Sequence, residues 1–165
     1  MIKKKICVLG AFAVGKTSLI ERYVKSVFSD KYHTTIGVKT DQKDVEVDGE
    51  DVRLIIWDIN GEDDYQHVKP SYLLGASGYF LVADGTRKET LEVAEGLQKL
   101  VFNTIGNKSF YLLINKSDLM DEWEITENAL NLLSEQGWKI IKTSAKLGQH
   151  VDDAFLGLCR SILQK

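Results

Sequence analysis

Residues 10–17, Gly10-Ala11-Phe12-Ala13-Val14-Gly15-Lys16-Thr17, fit the spacing G-x-x-x-x-G-K-[ST]. They follow an apolar run, Ile6-Cys7-Val8-Leu9, and precede a helical pattern, Ser18 to Val24. Strand, glycine-bearing turn and helix are the setting in which this spacing binds phosphate. Without a Cβ at Gly10 and Gly15, the backbone can curl around an anion. The N–H groups of Ala13, Val14, Gly15, Lys16, Thr17 and Ser18 then face it, and the helix start adds about half a positive charge. Lys16 can bridge terminal phosphates and stabilise their charge during transfer, and the Thr17 hydroxyl can sit on Mg²⁺.

Two further stretches supply a metal contact and a base reader. Asp58-Ile59-Asn60-Gly61 places a carboxylate where it can hold Mg²⁺ through a water, and a glycine N–H where it can meet a terminal phosphate. Asn115-Lys116-Ser117-Asp118 is more discriminating. Guanine presents two adjacent donors, N1–H and the 2-amino group, and one carboxylate at Asp118 can accept both. Adenine offers an acceptor at N1 and no 2-amino group, so Asp118 would stay desolvated and unpaired, a mismatch worth ~10⁴-fold or more. Ser144-Ala145-Lys146 follows the last strand, and the Ala145 N–H can donate to the guanine O6.

The elements that must position these groups alternate. Ile2–Leu9 reads as a strand and Lys16–Ser26 as a helix; Val27–Gly37 shows no sustained period and reads as a loop able to move. Val38–Val47 and Asp51–Asp58 read as a hairpin turning at Asp48-Gly49. A helix is expected around Tyr65–Leu74, started or kinked by Pro70. Gly78–Ala83 and Phe110–Ile114 are continuous apolar runs, the mark of central parallel strands covered on both faces. Helices are expected over Lys88–Phe102 and Ile125–Gln136, the latter stopped by Gly137, then a short strand, Trp138–Lys142. Val151, Ala154, Phe155, Leu158 and Ile162 form the apolar stripe of a final helix. The pattern predicts one α/β domain over 1–165: a six-stranded, mostly parallel sheet with one antiparallel edge strand and helices on both faces. In such sheets ligands bind at the carboxyl ends of the strands, here Gly10, Asp58, Asp84, Asn115 and Ser144.

Composition narrows the class. The 165 residues are 44% hydrophobic with net charge −3, which suits a single globular core and argues against nucleic acid as a partner. Lys3-Lys4-Lys5 reads as a solvated N-terminus. No apolar segment approaches the ~20 residues of a membrane span. Cys7 and Cys159 lie in apolar stretches and read as buried thiols of a reducing, cytoplasmic compartment. His33, His67 and His150 have no metal-ligand spacing.

Taken together, these motifs resemble those of the Ras superfamily of small GTPases, most closely its Rab-type members, over nearly the whole chain. Thr34-Thr35-Ile36-Gly37-Val38 resembles the Rab-type first switch, and Trp57-Asp58 with Gly61-Glu62 the second; Tyr72 with Gly75-Ala76 matches the pattern beyond it. The resemblance implies the P-loop small G-protein fold and GTP/GDP with Mg²⁺ as ligands. Thr35 would join Thr17 and Asp58 at the metal and touch the γ-phosphate. Phe28 would lie against the guanine ring, Tyr32 would close over the phosphates, and Lys116 would pack along the base. The residues also allow Phe28 as plain core and Tyr32 as a surface aromatic.

Three departures matter. The residue after Gly61 is Glu62 where the family uses Gln to orient the attacking water; an ionised carboxylate accepts a hydrogen bond but donates none. Phe12, beside Ala13, and Asn60 stand where small residues are usual, and a ring at Phe12 would obstruct an arginine supplied by an activating protein. Thr40 replaces an aromatic that joins a Trp and a Tyr, here Trp57 and Tyr72, in the Rab-type partner surface. The C-terminus has no prenylation motif and Ile2 no myristoylation pattern, so the chain is expected to be soluble or shortened at that end. The expected function is a monomeric switch that hydrolyses GTP slowly through Lys16, Thr35, Gly61 and Glu62 and meets effectors and regulators through its switch segments. The alternative is a GTP-binding adaptor with negligible turnover because of Glu62, Phe12 and Asn60. An ATP-using phosphotransferase is a weaker third reading.

Overall fold

The computed structural model describes residues 1–26, 28, 37–59 and 68–164. The strands are β1 (Ile2–Gly10), β2 (Val38–Val47), β3 (Glu50–Ile59), β4 (Ala76–Asp84), β5 (Ser109–Asn115) and β6 (Ile140–Lys142). Among the described residues the α-helices are α1 (Lys16–Lys25), α2 (Glu89–Ile105), α3 (Glu127–Glu135) and α4 (Val151–Leu163). Also among the described residues are two 3-10 helices, Pro70–Leu73 and Ser117–Glu122. The strands form one six-stranded sheet ordered β2-β3-β1-β4-β5-β6. Only the β2–β3 pair is antiparallel; the other pairs run parallel.

The apolar runs read from the sequence are the central strands, and their alternation divides the core in two. Ile6, Val8, Phe80, Val82 and Leu113 face α1 and α4, meeting Leu19, Ile20, Phe155 and Leu158. Cys7, Leu9, Leu81, Ala83, Leu112 and Ile114 face α2 and α3, meeting Leu91, Ala94, Leu97, Leu130 and Leu133. On the first face Tyr23 of α1 stacks on Phe155 of α4, centroids 3.8 Å apart and planes 5° apart. Lys43 of β2 caps the Tyr23 ring at 4.0 Å and donates to the Tyr23 carbonyl, drawing the outer hairpin onto α1. Both cysteines are buried free thiols whose pKa burial pushes up to about 11, so neither is a ready nucleophile.

The two sheet edges differ. β2 spans ten residues and alternates charged or polar outward positions with inward ones, whereas β6 is three residues long. Of the helix expected at Tyr65–Leu74, residues 65–67 lie outside the described residues; Lys69 and Leu74 are extended, and only Pro70–Leu73 between them are helical, as a single 3-10 turn that Pro70 starts. The short helix at Ser117–Glu122 was not anticipated, and β6 begins at Ile140 rather than Trp138. The Trp138 ring instead meets Phe110 edge-on at 5.1 Å.

One expectation fails at Lys5. Lys3-Lys4-Lys5, read as a solvated N-terminus, lie in the expected first strand, registered with Arg53, Leu54 and Ile55; Lys3 is exposed, but Lys5 is not left to solvent. Lys5 places its ammonium 3.6 Å from the Trp57 ring centroid and donates to the Leu74 carbonyl at 2.8 Å. An ammonium over an indole face keeps electrostatic compensation while its stem is buried, so a charged residue sits comfortably in a sheet there.

Candidate functional site

The carboxyl ends of β1, β3, β4 and β5, with the turn after β6, carry the polar residues singled out above. After β1 the chain turns through Gly10–Gly15 into α1. Gly15 has φ +100°, and a Cβ there would fall 2.3 Å from the Asn115 amide nitrogen. At Gly10 a Cβ would lie 2.4 Å from the Val82 carbonyl oxygen. The first glycine therefore lets β1 and β4 approach, and the second admits both the left-handed turn and Asn115.

Lys16 is almost fully enclosed, and its ammonium donates to the Gly10 and Ala11 carbonyls at 3.3 Å each. Burial pushes its pKa down to about 8; the Asp58 carboxylate pulls the other way and Arg87 adds to the lowering. The Thr17 hydroxyl donates to the buried Asp58 carboxylate at 2.5 Å, so the end of β3 and the start of α1 bring two hard oxygen donors together. That pair suits Mg²⁺, which binds through one or two protein oxygens and completes its shell with water and phosphate. Among the described residues no group of three or more His, Cys, Asp or Glu side chains gathers.

At the end of β5, Asn115 joins three segments. Its amide donates to the Val14 carbonyl at 3.0 Å, and its oxygen accepts from the Ala145 N–H at 3.2 Å and the Thr143 hydroxyl at 3.3 Å. The Ala145 N–H, a donor candidate for a base oxygen, is thus held beside Asn115. Asp118 accepts from the Ser144 hydroxyl at 2.8 Å, which fixes the carboxylate through the same turn. Ser144 also accepts from the Leu147 N–H, and its backbone pairs with Gln149. Lys116 sits at φ +72° with its ammonium 2.6 Å from Asp84.

Two expected site residues fall at the margin. Phe28 is half-buried and packs against the core on the α1–α4 side. Lys146 is exposed, its carbonyl taken by Arg22. Tyr32, Thr35, Asn60, Gly61 and Glu62 lie outside the described residues. Phe12 is exposed at the mouth of the phosphate loop. Trp57 and Tyr72 lie 6.3 Å apart, and Thr40 is registered opposite Trp57 in β2. The aromatic surface thus survives as a pair, with Lys5 covering one face of Trp57.

Sequence reasoning assigned no role to Arg22, Arg87 or Trp123. Arg22 of α1 donates to the Ala145 carbonyl at 2.8 Å and to that of Lys146 at 2.5 Å, tying the helix behind the phosphate loop to the base-reading turn. An arginine in α1 one helical turn past Ser18, flanking the apolar stripe of Leu19, Ile20 and Tyr23, was the available hint.

A sequence profile of the Ras family matches residues 5–164, and the chain belongs to that family of small GTPases; its sheet is the Ras-like P-loop architecture. It is similar to Ras-related protein Rab-13 of Canis lupus familiaris, 33% identical over 98% of this chain and 80% of the relative. Ras-related protein Rab-12 of Homo sapiens is 34% identical, over 99% of this chain and 68% of its own length. Ras-related protein Rab-8B of Homo sapiens is 29% identical, over 98% and 79%. Family membership implies binding of guanine nucleotides. Among the described residues no helix is long and apolar enough to cross a membrane.

Proposed function

We propose that the chain is a molecular switch that binds GTP and GDP with Mg²⁺ and hydrolyses GTP slowly. The observation that carries this reading is the junction at Asn115. One side chain bonds both the phosphate loop at Val14 and the turn at Ala145, where Asp118 is held by Ser144. Base recognition and phosphate binding are then parts of one connected site.

In this reading Asp118 accepts the two guanine donors, and the N–H groups of Ala13 to Ser18 with Lys16 hold the phosphates. Thr17, Asp58 and Thr35 would hold Mg²⁺, which when bound neutralises charge on the β- and γ-phosphate oxygens. Lys16, enclosed and away from bulk water, stabilises the charge that grows on the transferred phosphoryl group. Thr35 and Gly61 contact the γ-phosphate, and losing it changes the surface offered to protein effectors and regulators. In this reading the protein acts as a monomer.

The rival reading, an adaptor that holds GTP without turning it over, draws support from Phe12, whose exposed ring stands beside the loop. Single-turnover phosphate release from GTP and Mg²⁺ separates the two. The switch reading expects measurable release that changes in Glu62→Gln and Glu62→Ala. Equal rates in all three proteins would remove Glu62 from the mechanism, and no release at all would favour the adaptor. The nucleotide that co-purifies, guanine or adenine, tests the binding assignment itself.

A further inference from the structure

The turn that leaves β4, Asp84-Gly85-Thr86-Arg87, lies between the two halves of the site and bonds to both. The Asp84 side chain is fully buried. One oxygen accepts from the Thr86 N–H at 2.9 Å and the Thr86 hydroxyl at 2.7 Å. The other accepts from the Lys116 ammonium at 2.6 Å and from Arg87 Nε at 3.2 Å. The far end of the same guanidinium donates from Nη2 to the Phe12 carbonyl at 2.6 Å, in the phosphate loop. A continuous polar path therefore runs from Phe12 through Arg87 and Asp84 to Lys116.

The base end of that path is braced by an indole. Trp123 donates from Nε1 to the Lys116 carbonyl at 2.9 Å, holding the left-handed backbone from which Lys116 reaches Asp84. Its ring lies against Gly85, where a Cβ would fall 2.0 Å from the indole. The Gly85 carbonyl accepts from the Glu124 and Ile125 N–H groups at 2.8 and 3.1 Å, and the Lys88 N–H donates to the Glu124 carboxylate at 3.0 Å. Glycine at 85 and tryptophan at 123 are thus complementary: any larger residue at 85 would expel the ring.

We propose that the Asp84–Arg87 turn is a strut that makes the phosphate loop and the base-reading loop move as one, with Arg87 as its positioning residue. Release of a bound guanine nucleotide then requires both grips to loosen together and is slow. The strut rests on the guanine-nucleotide reading above. The guanidinium suits the role because its planar fork presents donors in two directions at once, whereas an ammonium is a point donor. Its separate donors reach a carboxylate and a carbonyl that belong to different loops.

The test is release of a fluorescent GDP analogue into excess GDP with Mg²⁺, with the unfolding temperature of each variant recorded alongside. Arg87→Ala and Arg87→Lys should both release the nucleotide roughly tenfold faster or more, the scale of a charge-assisted hydrogen bond. Arg87→Lys keeps the charge but cannot span Asp84 and Phe12. A wild-type release rate in that variant would mean that charge alone matters and would overturn the proposal. Trp123→Phe keeps a ring on Gly85 and removes the N–H to Lys116, and it should also speed release. If both residues act through one strut, the double variant Arg87→Lys with Trp123→Phe releases hardly faster than either single one. Additive effects would assign two independent local roles and sink the strut. These two conservative changes carry the test even if Arg87→Ala folds poorly. Failure of the wild-type chain to retain GDP would defeat the nucleotide reading and the strut with it; firm retention with unchanged release in every variant would defeat the strut alone.

Discussion

At the base end of the site each polar side chain has a close partner: the part-exposed Lys116 on buried Asp84 at 2.6 Å, the part-exposed Asp118 on Ser144 at 2.8 Å, and buried Asn115 on Val14 at 3.0 Å. At the phosphate end Lys16 is more deeply enclosed than Lys116 or Asp118, the carbonyls it reaches stand at 3.3 Å, and burial draws its pKa down to about 8 against the pull of the Asp58 carboxylate. Carbonyl dipoles at that range compensate a desolvated cation poorly. The protein itself finishes the base-reading half, whereas the phosphate half gains most of its compensation when an anion arrives. Selectivity should therefore reside at Asp118, and grip at the loop before α1.

The sharpest way to break this division is Asp118→Ala. Preference for GTP over ATP should fall by ~10⁴-fold in competition against a fluorescent GDP analogue, because the unpaired-carboxylate penalty against adenine disappears. Residual binding through the phosphates should persist, and a variant that keeps its preference would place base selection elsewhere. Gly15→Ala attacks the joint between the halves. It forces a Cβ into a left-handed backbone, a strain of about 1–2 kcal/mol, and pushes it against Asn115. We expect GDP affinity to drop roughly a hundredfold, as one strained residue and one displaced buried amide together imply, with guanine preference eroding in parallel. Loss of affinity with full preference would show that the halves are less connected than Asn115 indicates.

The smallest effect concerns acid. Burial works against the Asp84 carboxylate, yet hydrogen bonds from Lys116 and Thr86 outweigh it and hold its pKa below the ordinary range. A depressed folded-state value means that the stabilisation is complete above the unfolded carboxylate's pKa, about 4. It is lost as pH falls through the lower folded value. Wild-type unfolding temperature should therefore decline more steeply below about pH 4 than that of Asp84→Asn. Parallel curves would remove Asp84 from the acid response.

Much of this was legible in the chain because it is written locally. Gly10 to Thr17, Asn115 to Asp118 and the buried runs Gly78–Ala83 and Phe110–Ile114 each declare their role within a few residues, and strands alternating with helices fix the sheet. What stayed hidden depends on contacts between distant segments. Nothing local marks Arg87 or Trp123; their partners, Phe12 and Lys116, come to them only in the fold. Lys5 departs from a solvated position for the same reason: a charge run carries no sign that an indole from β3 waits beside it. The expectations for Thr35, Tyr32 and Glu62 came from family resemblance alone and that for Gly61 from its spacing after Asp58; all four lie outside the described residues.

The unequal rims of the sheet carry one further consequence. A free strand margin is a template on which another extended chain can settle. Here one margin is too brief to hold such a guest, and the other sets Lys39, Asp41, Lys43 and Asp44 along its length, where a second copy in register would meet like charge. In-register stacking of one copy on another is thereby discouraged at both borders.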